Sequence, residues 1–274
     1  MARCWFVASL MRNSVLRCLL VVLASPAFLF AQNQNPVSDP QAVALAAQSI
    51  AAMTGGTAIS DVTLNGSGSW TTGSNSQSVT VTLMAKGNNE SRMNLQLQGG
   101  QQSEIRNNAA GPAQGEWLDG NGKSTHYSLQ NCWTDPVWFF PILSSLNMTD
   151  PTTILTYVGV DNHQGTSVYH LRSYKNPSGM NQQMTTFVNS VSTVEFYLDS
   201  TSLLPVQITF NAHPDSDAST NIPVVLNLSN YTSVSGVRVP FRIQKSWNGN
   251  LLSDFTISSA SFNSGLADSL FAIQ

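Results

Sequence analysis

The chain has 274 residues, 42% of them hydrophobic and only 10% charged, with a formal net charge of −3. That length suits one large β domain or two ordinary domains, and the lack of long charge runs or a basic excess excludes disordered tails and nucleic-acid binding. Charge lies far below the roughly 25% of an average soluble protein, so Ser, Thr, Asn and Gln must carry the solvent-facing surface.

Residues 1–31 carry Arg3, Arg12 and Arg17, no acid, and an apolar run from Cys18 to Ala31. These are the parts of a secretory signal peptide, with cleavage expected after Ala27 or Ala31. The run is too short, and too interrupted by Ser25 and Pro26, to cross roughly 30 Å of hydrocarbon as a helix. Removing it leaves nine Lys or Arg against fifteen Asp or Glu, net −6. The expected mature chain, 32–274, is a single acidic domain, periplasmic or secreted. Cys4 and Cys18 leave with the leader, so Cys132 stands alone and an intramolecular disulfide is excluded. No signature of a catalytic thiol surrounds Cys132, which reads as buried and inert.

In the mature chain, Ser38 and Asp39 offer capping oxygens and Pro40 suits a first turn. The Ala-rich run from Gln41 to Met53 then stops at Gly55-Gly56, which predicts a helix. Val43, Ala46, Ala47, Ile50 and Met53 recur at helical spacing and form its expected buried face. After Gly56 the period falls to two. Val62, Leu64, Gly66, Gly68 and Trp70 alternate with polar residues, as do Val79, Val81 and Leu83, then Met93, Leu95 and Leu97. Gly87-Asn88-Asn89 and Gly99-Gly100 supply hairpin turns, so neighbouring strands pair antiparallel. Gly66 and Gly68, on the apolar face, mark a bend or a close backbone approach.

Glycines and Pro112 break the segment from Asn107 to Cys132 into short strands at Glu116–Leu118 and Thr125–Leu129. The most apolar stretch follows, Trp133 to Leu146, where Asp135 caps, Pro136 opens and Pro141 interrupts one or two short helical turns. It reads either as a plug in the core or as an aromatic lid over an apolar cavity. From Thr152 strands are expected to the end: Ile154–Val160, Thr166–Tyr174, Val194–Asp199, Val206–Asn211, Val224–Leu228, Val237–Ile243 and Asn250–Phe262, with Asn248-Gly249 a strong hairpin turn. About ten one-sided strands imply one large antiparallel sheet.

Catalytic and metal motifs are missing: there is no G-x-S-x-G, H-E-x-x-H, Walker loop or paired CxxC. His163 and His170 flank a predicted hairpin and read as a cross-strand pair before a metal site. The run His213 to Ser219 has alternating oxygens but lacks the central Gly and closing Glu of a calcium loop, and reads as a polar turn. Glu195 and Asp199 share one strand face about 13 Å apart, too far for paired-carboxylate catalysis. The chain therefore reads as non-enzymatic, without cofactor or metal. An unrecognised hydrolase would bring two or more of His126, His163, His170, Glu116 and Asp161 into one cleft.

The C-terminal half carries Val194-Glu195-Phe196-Tyr197-Leu198-Asp199, Leu204-Pro205-Val206, Gly236-Val237-Arg238-Val239-Pro240 and Asp268-Ser269-Leu270-Phe271 in fixed order. This resembles outer-membrane lipoprotein-sorting proteins of the LolA/LolB-like superfamily, over about residues 155–272. The resemblance implies a mainly β fold, a single large curved antiparallel sheet forming an incomplete β-barrel, with a few helices covering its concave face. It implies a cavity for a lipid or other hydrophobic small molecule, served by a membrane-associated donor or acceptor protein. The cavity or lid is assigned to Trp133, Trp138, Phe139, Phe140 and Leu143, with Ile50 of the helix and Phe196, Phe210 and Phe241 of the strands. Lipoprotein carriers have an early Arg, whereas the mature chain here has no basic residue before Lys86. That departure points to a divergent lipid or hydrophobe binder, and the protein is expected to be a monomer. The alternative is a secreted structural or adhesive β-sandwich.

Overall fold

The computed structural model describes residues 36–109, 112–163 and 165–274, and the expected signal peptide at 1–31 lies outside them. Helix α1 (Pro40–Thr54) begins where Asp39 accepts the Gln41 N–H at 2.7 Å and ends at Gly55 in the left-handed conformation, as its capping residues predict. Its buried face is rotated from the expected one: Ala42, Ala46, Ser49 and Met53 point inward, while Val43 and Ala47 are exposed. The inward residues are mostly small, which lets the helix backbone lie close on the surface beneath it.

Thirteen strands follow: β1 (Asp61–Thr72), β2 (Asn75–Lys86), β3 (Glu90–Leu97), β4 (Gly100–Asn107), β5 (Gln114–Leu118), β6 (Ser124–His126), β7 (Thr153–His163), β8 (Thr166–Lys175), β9 (Val194–Asp199), β10 (Pro205–Ala212), β11 (Ile222–Val234), β12 (Val237–Trp247) and β13 (Asn250–Phe262). Two further helices interrupt them, α2 (Leu129–Cys132) and α3 (Gln182–Val191). The strand expected through Leu129 thus stops at His126. The expectation of strands alone after Thr152 also fails at α3, which Asn181 caps by accepting the Met184 N–H at 2.8 Å. Asn248 and Gly249 both take positive φ, the type I′ geometry that matches strand twist.

The strands form one antiparallel sheet in the order β6-β5-β4-β3-β2-β1-β13-β12-β11-β10-β9-β8-β7. A β-sandwich would need two sheets. Nine interstrand steps separate β3 from β7, about 43 Å if the sheet were flat. Leu95 of β3 and Leu155 of β7 nevertheless belong to one hydrophobic cluster with Met53 of α1, so the sheet must curl around it without closing.

The backbones of β1 and β13 approach closely at two glycines. A Cβ at Gly66 would stand 2.4 Å from the Thr256 carbonyl oxygen, and one at Gly68 would stand 1.9 Å from that of Asp254. Only glycine allows this approach, and the register shifts by one residue at Asn65/Gly66.

Because β6 and β7 are the two sheet edges, the chain between them has to cross the open side of the curl. That crossing carries the aromatic segment, folded into single 3₁₀ turns at Pro141–Leu143 and Ser145–Asn147. Asp135 staples it, accepting the Val137 N–H at 2.9 Å and the Ser145 N–H at 2.6 Å. Ser38 anchors the start of α1 beside it by accepting the Leu155 N–H at 3.0 Å. On the outer face, the last 3₁₀ turn (Asp268–Phe271) straps β3 and β4, its carbonyls accepting from Arg92 and Asn107, with Phe271 fully buried.

Candidate functional site

Cross-strand register sets the inner face in rows. One row runs Leu64, Leu83, Met93, Glu104, Trp117 across β1 to β5. Another runs Ile208, Leu226, Lys245, Ser253, Trp70 from β10 to β1. Each apolar row therefore contains a charged residue. Between them lies an open cavity of about 750 Å³, reached from the sheet end that bears the β1–β2 turn and the β10–β11 loop. That volume falls within the 300–1,000 Å³ of small-molecule sites.

Aromatic residues make one part of the wall. The rings of Trp70 and Trp117 stack at 5.9 Å with 17° between their planes. Trp138, from the crossing segment, and Phe210, from β10, face the same space.

Polar side chains share the lining, and four of them, Glu104, Arg106, His213 and Lys245, are buried. Arg106 is 4% exposed; one of its nitrogens donates to the Cys132 carbonyl at 2.9 Å, the Thr134 carbonyl at 3.0 Å and the Thr134 hydroxyl at 3.1 Å. Its guanidinium also faces Glu104 at 3.8 Å and lies 5.6 Å from the centre of the Tyr127 ring. Burial pushes the Tyr127 phenol well above its ordinary pKa. Lys245 is 7% exposed, and its ammonium sits 4.2 Å from the centre of a Trp138 ring. Burial pulls its pKa down, with Glu104 opposing that effect. His213 places Nδ1 3.0 Å from the Thr220 carbonyl, which can only accept, while its buried Nε2 has no partner.

The assigned cavity residues separate into groups. Trp138 and Phe210 line the cavity. Phe139, Phe140, Leu143 and Phe196 are buried in the core behind it, and Ile50 and Phe241 pack half-buried against that core. Trp133 borders a different cleft of about 80 Å³. The charged groups were missed, although the pattern contains them. Extending the alternation Val237, Val239, Phe241, Ile243 by two residues reaches Lys245. The Gly99-Gly100 hairpin likewise puts Gln102, Glu104 and Arg106 on the inner face of β4.

Elsewhere, His163 and His170 meet around Tyr197, at ring separations of 4.1 and 4.4 Å. Glu195 holds this group by accepting from Arg172 at 2.7 Å and lying 2.8 Å from His170 Nε2. The assembly rests on the outward face of β7 to β9, with Asp161 3.4 Å from His163. Glu116 instead bonds Ser124 and the Gln274 N–H, and His126 lies on the cavity lining. Three of the five residues of the hydrolase reading, His163, His170 and Asp161, thus do come together, but on the outward strand face and not in the cavity. Asp217 accepts from the Ser219 N–H, the Ser219 hydroxyl and the Thr220 hydroxyl, which lowers its pKa to about 2 and makes the 213–219 run a polar turn. Among the described residues no group of three or more His, Cys, Asp or Glu is placed to hold a metal ion. Cys132 is buried, and that burial raises its thiol pKa, in keeping with an inert side chain.

No protein-family model matches the sequence, and no curated protein does. Solved structures do. A domain from Vibrio parahaemolyticus assigned to outer membrane lipoprotein sorting superposes with a TM-score of 0.55 at 12% identity, covering 84% of this chain and 95% of that one. A DUF1329 family protein from Desulfovibrio piger gives 0.54 at 12% identity, covering 86% and 98%. At such identity the likeness is one of fold: the chain has the half-barrel of the lipoprotein-sorting domain, as the order of its C-terminal motifs implies.

Proposed function

We propose that this protein is an exported, monomeric binding protein, without catalytic activity, that holds a lipid or acyl-chain-like ligand in the cavity of its half-barrel. The observation that carries this reading is the cavity itself: about 750 Å³, open at one end of the curl and walled by Trp70, Trp117, Trp138 and Phe210. Burying an acyl chain there is favourable by about 0.8 kcal/mol per CH₂, so a long chain binds without many specific contacts. The fold shared with a lipoprotein-sorting domain supports the same reading. Loading and unloading would then involve a membrane-associated donor or acceptor, since an acyl chain crosses water slowly alone.

Native mass spectrometry of the purified protein tests this, together with titration of a solvatochromic fatty-acid probe. Co-purified lipid and saturable probe binding, reduced by Trp138→Ala, are expected. A protein free of lipid that also shows no saturable binding overturns the reading.

A further inference from the structure

Lys245 is an unusual residue to bury against the aromatic wall of a cavity. Its register neighbours are Leu226 and Ser253, and beyond them Ile208 and Trp70. None of these carries charge, and among the described residues the Lys245 ammonium has no hydrogen-bond acceptor, only the face of Trp138 at 4.2 Å. Ser253, directly across from it, is 1% exposed and its hydroxyl is likewise without a partner.

The other charges compensate only in part, because Glu104, whose charge opposes the effect of burial on Lys245, also serves Arg106. Glu104 faces Arg106 at 3.8 Å, and Arg106 is already engaged by two carbonyls and a hydroxyl. Asp215, the remaining acid of the lining, belongs to the loop between β10 and β11. Buried ammonium groups are costly unless an acceptor meets them, and both orphaned groups here can donate. What they lack is an acceptor-rich, negatively charged group arriving from outside the chain.

We propose that Lys245, with Ser253 beside it, is a headgroup receptor, and that the cavity's ligand is a single acyl chain bearing an anionic head, a carboxylate or a phosphate. This rests on the lipid-binding reading above and adds polarity to it. Lys245 stands two residues inward of Trp247, which is 39% exposed, so the head lies about 7 Å inside the rim. Trp70, Trp117 and Phe210 then accommodate the chain.

The test uses three probes of equal chain length: a fatty acid, its methyl ester and a lysophosphatidic acid. Each displaces a neutral fluorescent lipid from the purified protein. The wild type is expected to bind the acid, the phosphate or both at least tenfold more tightly than the ester, and the tighter of the two identifies the head. Lys245→Met is expected to erase that preference while leaving ester affinity within about threefold. Equal affinity for acid and ester in the wild type overturns the proposal without recourse to any variant. So does a preference that survives in a folded Lys245→Met protein. Failure of all three probes is a different result, because it removes the lipid-binding reading as well.

Discussion

Arg106 of β4 grips Thr134 twice, through the carbonyl at 3.0 Å and the hydroxyl at 3.1 Å, and so ties the crossing segment to the far wing of the sheet. Arg106→Met breaks this tie, leaves the buried Thr134 carbonyl without its donor and removes the guanidinium that faces Glu104. It should cost about 3 kcal/mol, read as a lower denaturation midpoint. The indole emission of Trp138 should shift as the segment loosens.

The crossing segment divides into filling and wall. Phe140 is fully buried in the core cluster, so Phe140→Ala should cost about 4 kcal/mol and leave the ligand preference of any folded fraction unaltered. Trp138→Ala should cost less stability and weaken probe binding severalfold. Parallel melting and titration experiments distinguish the two, and equal losses of both properties in both variants would contradict the division.

At Gly68 the backbone of β13 occupies the place of a side chain, 1.9 Å from an ideal Cβ. Gly68→Ala should therefore destabilise by about 3 kcal/mol, because the obstruction is backbone and cannot rotate away. Its neighbour Ser67 is exposed, and Ser67→Ala should fall within about 0.5 kcal/mol of wild type. Chemical denaturation of the pair checks this.

Asp61 anchors the chain after β13. Burial raises its pKa, but the Ser264 N–H at 2.8 Å, the Ser264 hydroxyl at 2.9 Å and the Gly265 N–H at 3.0 Å outweigh burial and hold the carboxyl below 3.8. A carboxylate with a lowered native pKa stabilises above its unfolded value and loses that contribution as pH falls through the native one. Asp61→Asn should thus cost about 2 kcal/mol at neutral pH. The difference from wild type should shrink below pH 3.8, and a constant difference down to pH 3 would exclude the mechanism.

Lys245 carries the opposite sign. Its ammonium is disfavoured in the fold, so the ligand-free protein should gain about 1 kcal/mol from Lys245→Met, after allowance for the lost contact with Trp138. Burial lowers the Lys245 pKa from 10.5. The gain should accordingly be complete below the native pKa and vanish as pH rises to the unfolded value. Melting curves at pH 7 and pH 10.5 provide the measurement.

Much of this architecture was legible because alternation is a direct consequence of one-sided burial. Val194, Phe196 and Leu198 face inward, and Asn248-Gly249 turns the chain, as their types require. Helix α3 escaped notice because Thr185, Thr186 and Val188 favour strands locally; Asn181 as a cap, with Phe187, Val188 and Val191 at helical spacing, was the countersignal. The face of α1 was misjudged because hydrophobicity ranks Val43 above Ala42, whereas close packing ranks them the other way. The charged residues of the cavity are less legible because Lys245 lies beyond the last residue of the apolar alternation in β12, which runs on to Trp247. Lys245 lies on the same side as Ile243, one alternation step further along β12, and Glu104 pairs across the strands with Met93.

The meeting of β1 and β13 has a kinetic meaning. Nearly every other strand pair joins chain neighbours through a short turn, and such hairpins close in microseconds. Asn65 and Ser259 face one another across 194 residues, so this seam requires the largest loop closure of the β-sheet. Two meanders can zip separately, one outward from β1 to β6 and one inward from β7 to β13. The curl acquires a shared interior only when their first and last strands find each other, and the two interlocked glycines let that seam close.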